Sequence, residues 1–255
     1  MFLNFKKYGN GKPIIILHGF LGSLDNWHTL ATEFGKYGFE VYTIDLRNHG
    51  RSPHTEHHSI LLMVDDLKDF MQQQNLSSAT ILGHSMGGKV AMQFALDYSE
   101  KVDKLIVVDI APRLYKRGHD DVFDAIKSVD LKVIQTRKDA EELMKPFVED
   151  LAIRQFVLKN LERNEYGGFI WKMNFEILYR DYENMLVEID SLNIFDKETL
   201  FIKGGNSNYI QDKDKSDIVK LFPRATIQII ENAGHWVHAE KPKEFFDAVI
   251  KFLNI

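Results

Sequence analysis

The chain has 255 residues, 44% of them hydrophobic and 27% charged. This is the profile of a globular protein that buries roughly 70–75% of its extended surface and needs no covalent staples. It contains no cysteine, which excludes a disulfide framework, a zinc–thiolate site, an iron–sulfur cluster and a cysteine nucleophile. Lys and Arg number 32 against 37 Asp and Glu, a formal net charge of −5, which argues against nucleic acid or an anionic membrane as the main partner.

The chain opens with Phe2–Lys7, read as an antiparallel edge strand that turns through Gly9–Pro13. Three lysines and two glycines precede any sizeable apolar run there. The segment is therefore a poor signal peptide, and a cytoplasmic protein is expected. Short runs rich in β-branched residues follow at Ile14–Leu17, Val41–Ile44, Ala79–Leu82, Leu105–Val108, Thr199–Ile202 and Thr226–Ile230. Such runs suit strands buried on both faces. Helical patterns such as Leu61–Gln73 and Gly88–Tyr98 lie between them, and the alternation predicts an α/β fold with a mostly parallel central sheet and helices on both faces. The alternation lapses from about Arg113 to Asp190. There the pattern predicts helices at His119–Ser128, Lys138–Val148, Asp150–Leu161 and Met173–Val187, with a short strand at Phe169–Lys172 after the Gly167-Gly168 turn. The expected organisation is a core domain of residues 1–112 and 191–255 carrying a mainly helical cap, residues 113–190. Of the cap aromatics Phe147, Phe156, Phe169, Trp171, Phe175, Tyr179 and Tyr182, most should pack the cap and a few should line an apolar pocket.

The sharpest chemical signal is Gly83-His84-Ser85-Met86-Gly87, a G-x-S-x-G pattern between a buried strand and a helix. A serine on so tight a strand-to-helix turn sits on a strained backbone with its hydroxyl projecting, and small residues two before and two after it avoid collision. The helix N-terminus offers free N–H groups to developing negative charge. A serine hydroxyl needs a base. Of the ten histidines, His235 follows the last strand and so falls at the same sheet edge as Ser85. His18 reads as a loop-organising residue. His49, His54, His57 and His58 read as a solvated loop rather than a metal site, since no H-E-x-x-H pattern accompanies them.

An acid that orients the imidazole should fall between Ser85 and His235 in the chain. The loop after Thr199–Ile202 has no carboxylate before Asp212, whereas Asp109 ends the buried run Leu105–Val108. Asp109 is therefore preferred, with Asp212 as the alternative. Ser207 stands where the acid was sought and could bond the histidine or its acid. Backbone amides of Phe20 and Met86 are the candidate oxyanion donors. Asp45, another strand-end carboxylate, lies before the serine and is read as structural, paired with Arg47 or Arg51. Gly9-Asn10-Gly11-Lys12 is followed by Pro13 where a phosphate loop needs Ser or Thr, so no nucleotide site is expected.

With these residues in place the chain resembles the α/β-hydrolases over essentially its full length. The matches are His18-Gly19-Phe20, the segment from Asp45 to Ser52, Gly83 to Gly88, and Gly234-His235. More narrowly it resembles the YbfF-like bacterial esterases, through Arg47-Asn48-His49-Gly50, the elbow extended to Lys89, Val108 to Pro112, Gly204 to Ser207, and Gly234 to Pro242. In that group the acid follows the sixth strand and a serine takes the usual acid position, which become Asp109 and Ser207. The resemblance implies an α/β-hydrolase fold with the cap inserted after the sixth strand. It also implies carboxylester or acyl-thioester substrates.

The expected function is ester hydrolysis through an acyl-enzyme on Ser85, His235 and Asp109. No metal or cofactor is needed, and the partner is a small-molecule ester or thioester. Neither nucleic acid nor a membrane is expected, and the protein is a monomer or homodimer. Two alternatives remain. One is a C–C bond hydrolase or lyase on the same fold, for which Arg113, Lys116 and Arg117 could bind an anionic substrate. The other is a non-catalytic module that holds a small ligand.

Overall fold

A computed structural model describes residues 1–254. The edge strand β1 (Phe5–Gly9) turns into β2 (Lys12–Leu17); helix α1 (His28–Lys36) leads to β3 (Phe39–Ile44), and α2 (Ile60–Gln73) to β4 (Ala79–His84). Helix α3 (Met86–Asp97) begins two residues after β4 ends and is followed by β5 (Val102–Val108). An insertion comes next, and then β8 (Thr199–Gly204), α8 (Lys215–Leu221), β9 (Ala225–Ile230), α9 (Val237–Glu240) and α10 (Pro242–Leu253).

The sheet has the order β1-β3-β2-β4-β5-β8-β9, and only β1 runs antiparallel, with Phe5 opposite Ile44. The period-two geometry of a strand divides each apolar run between two cores. Ile15, Leu17, Ile81, Leu105 and Val107 face one side, with Met63, Leu67 and Phe70 of α2, Val90 and Phe94 of α3 and Ile218 of α8. Ile14, Ile16, Leu82, Ile106 and Val108 face the other, with Ala31 and Phe34 of α1 and Phe245 and Val249 of α10. This double burial is why the central strands read as unbroken apolar runs, whereas β9, expected from its sequence to be buried on both faces, is an edge strand with only Ile230 buried. Counted along this chain the insertion follows the fifth strand, one earlier than the family's ordinal, because a single strand precedes β2.

The insertion contains α4 (Asp120–Lys127), α5 (Arg137–Met144), α6 (Leu151–Leu158), the hairpin β6 (Leu161–Arg163) and β7 (Phe169–Trp171), and α7 (Phe175–Arg180). Its side chains form a third apolar cluster, including Val122, Ile126, Met144, Val157, Leu158, Phe169 and Leu178, joined by Leu21 from the loop after β2. Two helices are shorter than their patterns suggest. α5 starts from a capping box between Thr136 and Asp139 and stops at Met144, because Pro146 has no N–H to continue the ladder. The pattern over Met173–Val187 is one helix in the sequence but α7 plus a separate 3-10 turn, Tyr182–Met185, in the structure. Between them the Asp181 carboxylate accepts the His58 amide at 2.9 Å and pairs with Arg180 at 2.7 Å, tying the break to the loop after β3. Among the described residues no helix is long and apolar enough to cross a membrane.

Candidate active site

Ser85 is the single residue between β4 and α3, with φ 52° and ψ −116°, a sparsely populated conformation for any residue but glycine. Its neighbours have to be small. A Cβ on Gly83 would lie 2.1 Å from the Gly87 carbonyl oxygen, and one on Gly87 would lie 2.5 Å from that of Leu17. The turn therefore seats α3 against both β4 and the end of β2.

Three loops at the C-terminal edge of the sheet converge on this serine. His235, after β9, places Nε2 at 3.0 Å from Ser85 Oγ. Its Nδ1 lies 2.8 Å from Asp109 Oδ2. Asp109 follows β5, has φ 49° and is fully buried. Besides the imidazole it accepts the Gly204 amide at 3.0 Å and the Ser207 hydroxyl. A buried carboxylate that accepts from three donors fixes the imidazole proton on Nδ1. Nε2 is then left as the acceptor for the Ser85 hydroxyl. The His235 backbone carbonyl accepts the His84 Nε2 proton at 2.9 Å, and Glu240 accepts the amides of Gly234 and Trp236 at 2.7 and 3.1 Å, so the loop is held on both sides. Tyr209 stacks on the imidazole, ring centroids 3.7 Å apart.

The loop after β2 is folded by histidines. His18 bonds the Gly19 carbonyl through Nδ1 at 2.8 Å and accepts the Leu46 amide on Nε2 at 3.0 Å. The Leu21 amide donates to His49 Nε2 at 3.3 Å. Burial lowers the proton affinity of both rings, which is consistent with neutral imidazoles that each donate once and accept once. A Cβ on Gly19 would come within 2.7 Å of His84 Nδ1, so the loop runs directly beside the elbow. Neither the Phe20 nor the Met86 amide finds an acceptor among the described residues, and both residues line the cavity described next. Two free N–H groups flanking a serine can receive an oxyanion.

The cavity has two lobes that share Ser85, Phe20, Gly118, His119 and Tyr209. The larger, about 280 Å³, carries His235 and the side chains of Trp27, Val122, Ile153, Phe156 and Trp236. The smaller, about 210 Å³, carries Met86, Ile110, Tyr115, Tyr182 and Met185, with Lys89 in its wall. Of the seven cap aromatics singled out in the sequence, Phe156 lines one lobe and Tyr182 the other, while Phe147 and Tyr179 are exposed.

Four sequence readings need correction. His49 and His58, read with their neighbours as a solvated loop, are fully buried. Asp212 is exposed and bonded to Lys215 at 2.8 Å, away from His235. Asp45 has no guanidinium partner: it accepts the amides of Leu24 and Arg51 and the Asn4 side chain, while Arg47 pairs with Asp66 at 2.5 Å. The basic groups suggested for an anionic substrate are largely engaged, Arg113 with Asp214 at 3.1 Å and Arg117 with Asp120 at 2.6 Å. The sequence reading missed Tyr209, Lys89 and His119. Lys89 is fully buried and donates to the carbonyls of Arg113, Leu186 and Val187. Its only sequence signal is a lysine one helical turn after the serine, on a helix otherwise apolar there.

Residues 12–242 match the family model described as alpha/beta hydrolase fold. The chain is similar to the esterase YbfF of Escherichia coli, 37% identical over 96% of this chain and 94% of the relative. It is also similar to the mouse sn-1-specific diacylglycerol lipase ABHD11, 42% identical over 94% of this chain and 80% of the relative. A solved structure described as a marine microorganism esterase superposes with a TM-score of 0.95 at 43% identity, covering 98% of both chains.

Proposed function

The chain belongs to the alpha/beta-hydrolase family, on the side of the YbfF-like esterases, and from that premise we propose that it is a serine carboxylesterase working through an acyl-enzyme. Ser85 Oγ attacks the acyl carbon as His235 Nε2 takes its proton, and Asp109 steadies the resulting imidazolium. The amides of Phe20 and Met86 hold the oxyanion. The leaving group must collect its proton from His235, which lines only the larger lobe, so the alcohol belongs there and the acyl chain in the smaller lobe. His235 next draws a proton from water, and the hydroxide releases the acid. Residues 113–190 serve as the cap that supplies walls to both lobes.

The observation that carries this reading is the unbroken chain from Ser85 through His235 to Asp109, at 3.0 and 2.8 Å. The test is hydrolysis of p-nitrophenyl acetate, butyrate and octanoate by the wild type and by Ser85→Ala. Turnover by the wild type should drop by about 10⁴-fold or more in the variant, which keeps only the oxyanion donors and binding. Folded wild-type protein that turns over none of these esters would contradict the proposal. Relative rates along the series would size the smaller lobe.

A further inference from the structure

His119 and Tyr182, both from the insertion, form a pair over the junction of the two lobes. The Tyr182 hydroxyl bonds His119 Nδ1, and both rings pack on Phe20, at centroid distances of 5.1 Å for Tyr182 and 5.9 Å for His119. Tyr182 is 2% exposed, and His119 Nδ1 is the only acceptor its hydroxyl meets among the described residues, its other polar neighbour, the Gly118 amide, being a donor. A buried O–H left without an acceptor is costly, so Tyr182 must donate and His119 Nδ1 must accept. That places the imidazole proton on Nε2. Burial, and next the nearby His235, lower the His119 pKa to about 4, so the ring is neutral at neutral pH and this tautomer persists. His58 and His238 have ring nitrogens sealed away without partners; His119 Nε2 is not among such sealed atoms, and it bonds no protein group among the described residues. The ring that bears it lines both lobes beside Ser85.

We propose that His119 is a specificity-determining residue that touches substrate, and that the substrate carries an acceptor oxygen (an ether, a carbonyl or a second ester) close to the scissile ester, met by His119 Nε2–H. The inference rests on the esterase reading of the site and adds a requirement that reading does not contain. A plain hydrocarbon chain leaves this N–H unpaired in a cavity that is otherwise mostly apolar, whereas an acceptor at that point satisfies it.

The acceptor could sit on the acyl or the alcohol side, and two matched pairs of esters separate these. On the acyl side p-nitrophenyl methoxyacetate replaces one methylene of p-nitrophenyl butyrate by oxygen. On the alcohol side 2-ethoxyethyl acetate does the same to pentyl acetate. The quantity read is the kcat/KM ratio of ether to hydrocarbon, compared between enzymes so that intrinsic reactivity cancels. In His119→Phe the ratio should fall about 10-fold in one pair, the worth of one hydrogen bond in a site shielded from water. His119→Asn, which keeps an N–H donor, should retain most of the preference, and Tyr182→Phe, which frees the tautomer, should lose part of it. An unchanged ratio in both pairs for His119→Phe and Tyr182→Phe overturns the inference while leaving the esterase reading intact. Wild-type inactivity on all four esters overturns both. If His119→Phe fails to fold, Tyr182→Phe carries the test, with a partial fall of the ratio expected in one pair and an unchanged ratio in both overturning the inference; if Tyr182→Phe fails to fold, His119→Phe alone decides.

Discussion

At the residue scale the site depends on one buried carboxylate being in the right place. Asp109 and Asp212 were both open in the sequence, and they differ in surroundings rather than in kind. Asp109 is sealed, holds His235 Nδ1 at 2.8 Å and has two further donors, whereas Asp212 is exposed beside Lys215. On the proposed mechanism Asp109→Asn should lower kcat by about 10⁴-fold, because the amide favours the wrong imidazole tautomer. Asparagine tolerates the positive φ of this position, so the fold should survive. Asp212→Asn should leave kcat within twofold of the wild type, a limit set by the small worth of an exposed ion pair. Steady-state kinetics on p-nitrophenyl butyrate distinguish the two, and the reverse pattern would move the acid role to Asp212. Ser85, His235 and Asp109 could be read from the sequence because each follows a strand with a legible apolar run, and strand ends share one edge of a parallel sheet. Tyr209 and His119 could not. Their positions depend on how a loop and an insertion fold back, which no local pattern records.

The element scale turns on how the insertion is fastened to the sheet. Strand and helix alternation made the core legible, since buried parallel strands announce themselves as apolar runs. The division of Met173–Val187 into α7 and a 3-10 turn was not legible, because it follows from Asp181 meeting His58 across more than a hundred residues of chain. Lys89 is a second contact of this long-range kind. From the first turns of α3 its ammonium reaches the Arg113 carbonyl at 2.9 Å and the Leu186 carbonyl at 3.3 Å, together with that of Val187, and so joins both roots of the insertion to the helix that carries the elbow. Lys89→Met keeps the stem and removes the donors, leaving the carbonyls of Arg113 and Val187 unpaired while that of Leu186 keeps the Tyr115 amide at 2.9 Å, at a cost of roughly 2–4 kcal/mol. Hydrogen exchange should quicken about 10-fold or more at residues 113–118 and 182–189, with β2 to β5 unchanged. Uniform quickening over the whole sheet, or none anywhere, would show that the lysine does not act as a local fastening.

Across the whole molecule, neutral buried histidines set the response to acid. His18, His49, His58, His84, His119 and His238 all have lowered proton affinity, with burial the leading cause in each. His58 and His238 are brought to about 3 and His119 to about 4. Unfolded, each would take up a proton near pH 6.5; folded, these three do so only near pH 3–4. The unfolded state therefore binds more protons below pH 6.5, and stability must fall as the pH is lowered from about 6.5 toward 4. The slope approaches about 1.4 kcal/mol per pH unit for each such group. The urea midpoint should fall between pH 7 and pH 5, and in His58→Gln or His238→Gln it should fall less, by about one group's share of the slope. A midpoint that is flat between pH 7 and pH 5 would contradict the neutral-histidine picture.

The central proposal, an acyl group carried on Ser85, is tested most directly by mass. p-Nitrophenyl butyrate is mixed with the enzyme, the reaction is quenched in acid during turnover, and the digested protein is searched for a butyryl group. The expected result is one butyryl group on the peptide containing Ser85, absent from Ser85→Ala and from His235→Ala. A butyryl group on another residue that turns over at the rate of catalysis, or full ester turnover by Ser85→Ala, would contradict it.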